Sequence, residues 1–248
     1  MQRLLVPSAC LLAVALGACA LAPATASGRV SLNGRALGWV RADTAPPAHV
    51  VAYVRPGTAV ALRSRPFGRV LERVGATTPF GSPRALGVVT TRSGRWLAVG
   101  DATLGNNRIA WIDARAGGLR YARTRLELEV DLSSRTITLR SGPQIVRRMV
   151  VGVGRAGSET PTGRFSVTDK LAGPSYSAYY GCCILALSAT QPNLPAGWSG
   201  GNRVAIHGTP SQSDFGRAVS AGCLHARDGD LRYLMRRVPL GTRVVIHA

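Results

Sequence analysis

The 248-residue chain is 46% apolar, which excludes disorder over most of its length and leaves room for one large domain or two small ones. With 29 glycines and 15 prolines against 6% aromatic residues, short strands and turns are favoured over long helices. A formal charge of +19 suits adhesion to polyanions, whereas neither zinc-finger spacing nor a basic helix points to nucleic acid.

Residues 1–26 read as a secretion signal. Arg3 is the only charge before Arg29, and Leu4 to Leu16 is an apolar run too short to span a bilayer comfortably. Two processing sites compete. Ala24-Thr25-Ala26 fits an A-x-A cleavage site, and Leu16-Gly17-Ala18-Cys19 resembles a lipobox that would leave Cys19 lipidated. Membrane contact would come only through that signal or anchor. Residues 27–47 are small, polar and Pro-containing, and read as a linker.

From residue 48 to 116 the spacing predicts a small all-β unit. Strands are expected at Val50–Val54, Val60–Leu62, Leu86–Val89, Trp96–Val99 and Ile109–Ile112, with the two tryptophans in a small core. A second unit is expected over 124–248. Leu126, Leu128, Val130 and Leu132 alternate with polar residues, and Thr136 to Leu139 returns as a hairpin arm. Strands follow at Ile145–Val153 and Gly163–Val167. Leu231, Leu234, Met235 and Val238 stand at helical spacing behind Asp228 as N-cap, and Arg243–Ile246 closes as a strand.

Beyond the leader and tether, three cysteines remain: Cys182, Cys183 and Cys223. An odd number outside the cytosol suggests a free, reactive thiol. Cys182 and Cys183 are adjacent; a ring closed between neighbours is strained, so a packed apolar pair is expected first there, with a place in the lining of the substrate cleft or a vicinal disulfide as the alternatives. Only four histidines exist, and His207 ends a strand-like run. An imidazole can lower a thiol's pKa from about 8.5 into the range of roughly 3.5–7.5, so His207 is the candidate base for Cys223. Gly222 removes a side chain beside the sulfur and frees backbone N–H groups toward an oxyanion. His207, Cys223, His225 and one of Cys182 or Cys183 are also an N/S set for zinc, but no C-x-x-C or H-x-x-x-H spacing accompanies them. No cofactor and no metal are implied.

His207-Gly208-Thr209, followed sixteen positions later by Cys223 in Ser220-x-Gly222-Cys223, resembles the signature of the L,D-transpeptidase (YkuD-type) catalytic domain. Thr160-Pro161-Thr162-Gly163-Arg164-Phe165 and Gly241-Thr242-Arg243-Val244 are similar to two further segments of that family. The stretch from about 49 to 115 is loosely similar to bacterial SH3-like wall-associated modules. The resemblance implies a mainly β chain: a small SH3-like barrel, then a β-sandwich catalytic domain with one short helix. It implies Cys223 as nucleophile, His207 as base, Gly208 as the carbonyl that orients the imidazole, Gly222 and Cys223 as oxyanion donors, and Ser220 as a turn-shaping residue. The substrate implied is the peptidoglycan stem peptide, joined in 3→3 cross-links with release of terminal D-Ala, outside the cytoplasm in the cell envelope. Water or a free D-amino acid as acceptor would make a carboxypeptidase or exchange enzyme. Anionic wall polymers are the partners that the charge suggests, and a wall-binding protein without activity is the alternative. His225 stands where the family usually has arginine, so substrate anchoring falls to His225, Arg203, Arg227 and Tyr180 as candidates.

Overall fold

A computed structural model describes residues 48–248. The secretion signal, the lipobox at Cys19 and the linker expected over 27–47 lie outside the described residues. The architecture is mainly β, with one α-helix among the described residues.

The first half is a seven-stranded sheet. Its strands are β1 (His49–Val54), β2 (Ala59–Arg63), β3 (Val70–Gly75), β4 (Ala85–Arg92), β5 (Trp96–Val99), β6 (Ala110–Asp113) and β7 (Leu119–Thr124), in the order β3-β2-β6-β5-β4-β1-β7. Two strands escaped the sequence. β3 is a sheet-edge strand, exposed along most of its length, so it lacks the alternation that marks a half-buried strand. β7 lies past the boundary expected at 116 and pairs with β1 from His49↔Thr124 to Val54↔Leu119. The first sheet therefore runs on to Thr124. Its core is small and aliphatic, built on Leu62, Leu86, Val99 and Ile112.

The second half contains β8 (Leu126–Asp131), β9 (Thr136–Ser141), β10 (Gln144–Val150), β11 (Val153–Gly154), β12 (Gly163–Ala172), β13 (Cys183–Thr190), β14 (Arg203–His207), β15 (Ala218–Ser220), β16 (Leu224–His225), α1 (Asp228–Arg237) and β17 (Arg243–His247). Eight of these strands form one sheet in the order β10-β9-β8-β17-β12-β13-β14-β16, and β11 pairs with β15 alone. Leu126 to Asp131 buries alternate residues, as period two requires. β13 is buried from Cys183 to Ala189, because it lies between β12 and β14 with α1 packed against it. A continuous apolar run of that kind carries no period. The helix is capped at Arg227 rather than Asp228. Asp228 is drawn inward instead: its Oδ1 accepts the Cys182 N–H at 3.1 Å. Cys182 and Cys183 are joined as a vicinal disulfide, not the packed thiol pair expected.

The two halves meet over glycine. Gly241 has φ +80, and a Cβ there would run into Val51 of β1. The Tyr53 hydroxyl donates to the Leu240 carbonyl at 3.1 Å, and the Asn106 side-chain amide donates to the Thr190 carbonyl at 2.6 Å while accepting from the Thr190 N–H at 2.8 Å. Leu128 is fully buried between β9 and β17. Leu128→Ala is expected to cost about 2–5 kcal/mol in urea unfolding followed by far-UV circular dichroism.

Candidate active site

The site is assembled at the end of the second sheet by a short parallel pairing. β14 and β16 align Ile206 with Leu224 and His207 with His225. Cys223 immediately precedes β16, so one turn and one strand end bring a thiol and two imidazoles to a single cleft. The cleft holds about 500 Å³ and is also lined by Tyr180, Arg203 and Phe80.

The turn before the nucleophile is fixed by one hydroxyl. Ser220 Oγ donates to the Cys223 carbonyl at 2.6 Å and accepts the Gly222 N–H at 3.0 Å. The Gly222 N–H is therefore engaged within the turn, whereas the Cys223 N–H has no acceptor among the described residues. Gly222 is required for another reason. Its φ is +113, and a Cβ there would collide with the buried amide of Gln191, which is held by the Ser158 and Glu159 carbonyls.

His207 is 2% exposed. Its Nδ1 lies 2.6 Å from the Gly208 carbonyl oxygen. A carbonyl only accepts, so Nδ1 carries the hydrogen and Nε2 keeps the lone pair of a neutral ring. Gly208 allows this approach: its N–H donates to the Tyr180 carbonyl at 2.8 Å, and a side chain would strike Gly181 and that same carbonyl. The Tyr180 ring packs edge-on against His207 at 4.8 Å.

The electrostatics differ from the ion pair expected. Burial pushes the His207 imidazole down to about 4, helped by the neighbouring His225. Burial pushes the Cys223 thiol up to about 11. Both shifts favour the uncharged forms, a thiol and a neutral imidazole. Cys223 is nevertheless half-buried rather than sealed. Its Sγ sits 4.0 Å from the Arg203 carbonyl, beside Ile184, Ala186 and Ala205, and faces the cleft.

The His225 ring is already engaged by a carboxylate. It is 3% exposed, its Nδ1 lies 2.7 Å from Asp214 Oδ2, and its ring is 4.9 Å from that of His207. Asp214 also accepts from the Thr209 hydroxyl at 2.7 Å. Sequence reasoning missed Asp214, since nothing in Gln212-Ser213-Asp214 marks it; only the folded loop brings it to His225. Arg203 lines the cleft. Arg227 does not: its guanidinium stacks 4.3 Å over the Phe215 ring, outside the residues that line the cleft. Phe80, from the first sheet's half, was also missed, because contacts between distant turns leave no periodic signal.

A profile of the L,D-transpeptidase catalytic domain (YkuD) matches residues 125–246. Residues 125–246 belong to that family. The chain is 34% identical over 119 residues to the Probable L,D-transpeptidase ErfK/SrfK of Salmonella typhimurium, covering 43% of this chain and 38% of that protein. It is 30% identical over 122 residues to the YkuD protein of Bacillus subtilis, covering 48% of this chain and 65% of that one. The chain thus spans less than two thirds of both relatives. A solved L,D-transpeptidase from Mycobacterium smegmatis aligns with 82% of this chain and all of its own length, at 18% identity and a TM-score of 0.41.

Two outcomes follow for the site. Alkylation of Cys223 by iodoacetamide, followed by intact mass, should accelerate with pH up to 9 and beyond without a plateau, because the thiol is raised to about 11; a plateau near neutral pH would indicate a preformed thiolate. Gly222→Ala should lose about 1–3 kcal/mol in urea unfolding from backbone strain and displacement of Gln191.

Proposed function

We propose that the protein is a peptidoglycan L,D-transpeptidase of the cell envelope, forming 3→3 cross-links through a thioester on Cys223. The observation that carries this reading is the convergence of a cleft-facing Cys223 with His207, whose Nδ1 is tied to the Gly208 carbonyl.

In this reading, Sγ attacks the L-centre carbonyl carbon of a stem tetrapeptide while Nε2 of His207 takes the thiol proton. The negative charge on the carbonyl oxygen is met by the Cys223 N–H, a donor type worth about 2.7–4 kcal/mol in acyl transfer. The tetrahedral adduct collapses with cleavage of the C–N bond. Imidazolium His207 gives its proton to the departing D-Ala amine, leaving the thioester. The side-chain amine of a diamino acid on a second stem then attacks the thioester, His207 removes its proton, and Sγ leaves protonated. Tyr180 and the Asp214–His225 pair hold the base in place and shield it from bulk water.

The net charge of +19 supports adhesion of the same protein to anionic wall polymers. Residues 1–26 are proposed as the export signal, with Cys19 as the lipid-anchor position of the alternative processing, and the seven-stranded half as an SH3-like wall-associated unit.

Purified muropeptides test the reaction. Cys223→Ala should lower 3→3 dimer formation by at least about 10³-fold, and His207→Gln by a comparable factor, since the two act as a unit. Unchanged dimer from Cys223→Ala would refute the thioester. Tripeptide without dimer from the parent protein would assign the acyl group to water.

A further inference from the structure

The turn between β3 and β4 belongs to the first sheet, yet it reaches the cleft. Thr77 bridges to Pro83 across its neck. Within it, the Thr78 hydroxyl accepts the N–H groups of Phe80 at 3.3 Å and Ser82 at 3.2 Å, and donates to the Asp169 carboxylate of β12. Arg84 ties the base of the turn, donating to the Gly75 and Thr77 carbonyls at 3.0 Å and to Asp101 at 2.9 Å. This many bonds fix where Phe80 goes. Its ring lies 5.6 Å from the Arg203 guanidinium and edge-on to Tyr176 at 6.4 Å, and it stays 38% exposed.

Arg203 is held from behind. Its Nη1 donates to the Thr168 hydroxyl at 3.1 Å and the Leu187 carbonyl at 3.3 Å. Asp169, fully buried, approaches only to 3.9 Å. Nε and Nη2 have no partner among the described residues, and neither is sealed from solvent. A guanidinium that is pinned at one nitrogen and free along the Nε–Nη2 edge presents the fork that a carboxylate accepts in two parallel bonds. The Phe80 ring, 5.6 Å from the guanidinium, adds a cation–π contact. The other two basic side chains considered for this task are committed elsewhere, His225 to Asp214 and Arg227 to the Phe215 ring.

We propose that Arg203 and Phe80 form a carboxylate subsite, assembled from both halves of the chain, that takes the free terminal carboxylate of the peptide substrate. This rests on the acyl-transfer reading of Cys223, which lines the same cleft as Arg203 and Phe80. The seven-stranded half is then a builder of the cleft as well as a neighbour of it.

Calorimetry separates this proposal from the reaction assignment. The Cys223→Ala protein, full chain, is titrated at pH 8.5 with a stem tetrapeptide ending in D-Ala and with the same peptide as its C-terminal carboxamide. The acid should bind at least about tenfold more tightly than the amide, the range of a hydrogen bond to a charged group. Arg203→Gln should erase that preference. Phe80→Ala, a change in a solvent-facing turn, should reduce it severalfold while the protein keeps its unfolding midpoint. Equal binding of acid and amide by the parent, or a preference that survives Arg203→Gln, would overturn the subsite and leave the thioester reading standing. Binding of neither peptide would remove the substrate assignment and the subsite together.

Discussion

The two-residue parallel ladder between β14 and β16 is the constraint on which the site depends. It sets His207 against His225 in register, and the turn ahead of it delivers Cys223. A slip of one residue would turn every side chain on β16 to the opposite face. The ladder is short, so other contacts hold it. Gly152 and His225 exchange both backbone hydrogen bonds, the Ala226 N–H donates to the His207 carbonyl, and Ser220 locks the turn from within. Leu224 and Ile206, both fully buried, anchor the same two strands in the core of the second sheet. The geometry of the candidate site and the hydrophobic packing are therefore one structure here.

Burial has a chemical consequence. The same packing that orients the imidazole also strips its water, and charge on either partner becomes costly. A resting thiolate–imidazolium pair would carry two such charges. The neutral pair avoids that cost, and in the proposed reaction charge would develop only with attack on the carbonyl. The family's usual arginine is replaced by a histidine that turns inward to Asp214. The site thus has a second imidazole beside that of His207.

Much of this was legible in the sequence. The strands of the β8–β9 hairpin follow from alternation, and the helix from its i, i+3, i+4 spacing. The His-Gly-Thr and Ser-x-Gly-Cys segments mark the cleft, because backbone crowding at Gly208 and Gly222 admits no side chain. Other parts were not legible for physical reasons. β3 is exposed and β13 wholly buried, so neither has a period. Asp214 and Phe80 act across the fold from loops, where local pattern carries no information about distant neighbours. The protonation states depend on desolvation, which exists only once the chain has folded.

The central claim is that Cys223 is a neutral thiol at rest and loses its proton to His207 during attack. Ultraviolet absorbance at 240 nm, taken as the difference between the parent protein and Cys223→Ala across a pH titration, tests the resting state most directly, because a thiolate absorbs there and a thiol does not. The account predicts no thiolate signal at neutral pH and a rise only at clearly alkaline pH, toward about 11. A full thiolate signal at neutral pH that persists into mildly acidic solution would contradict it.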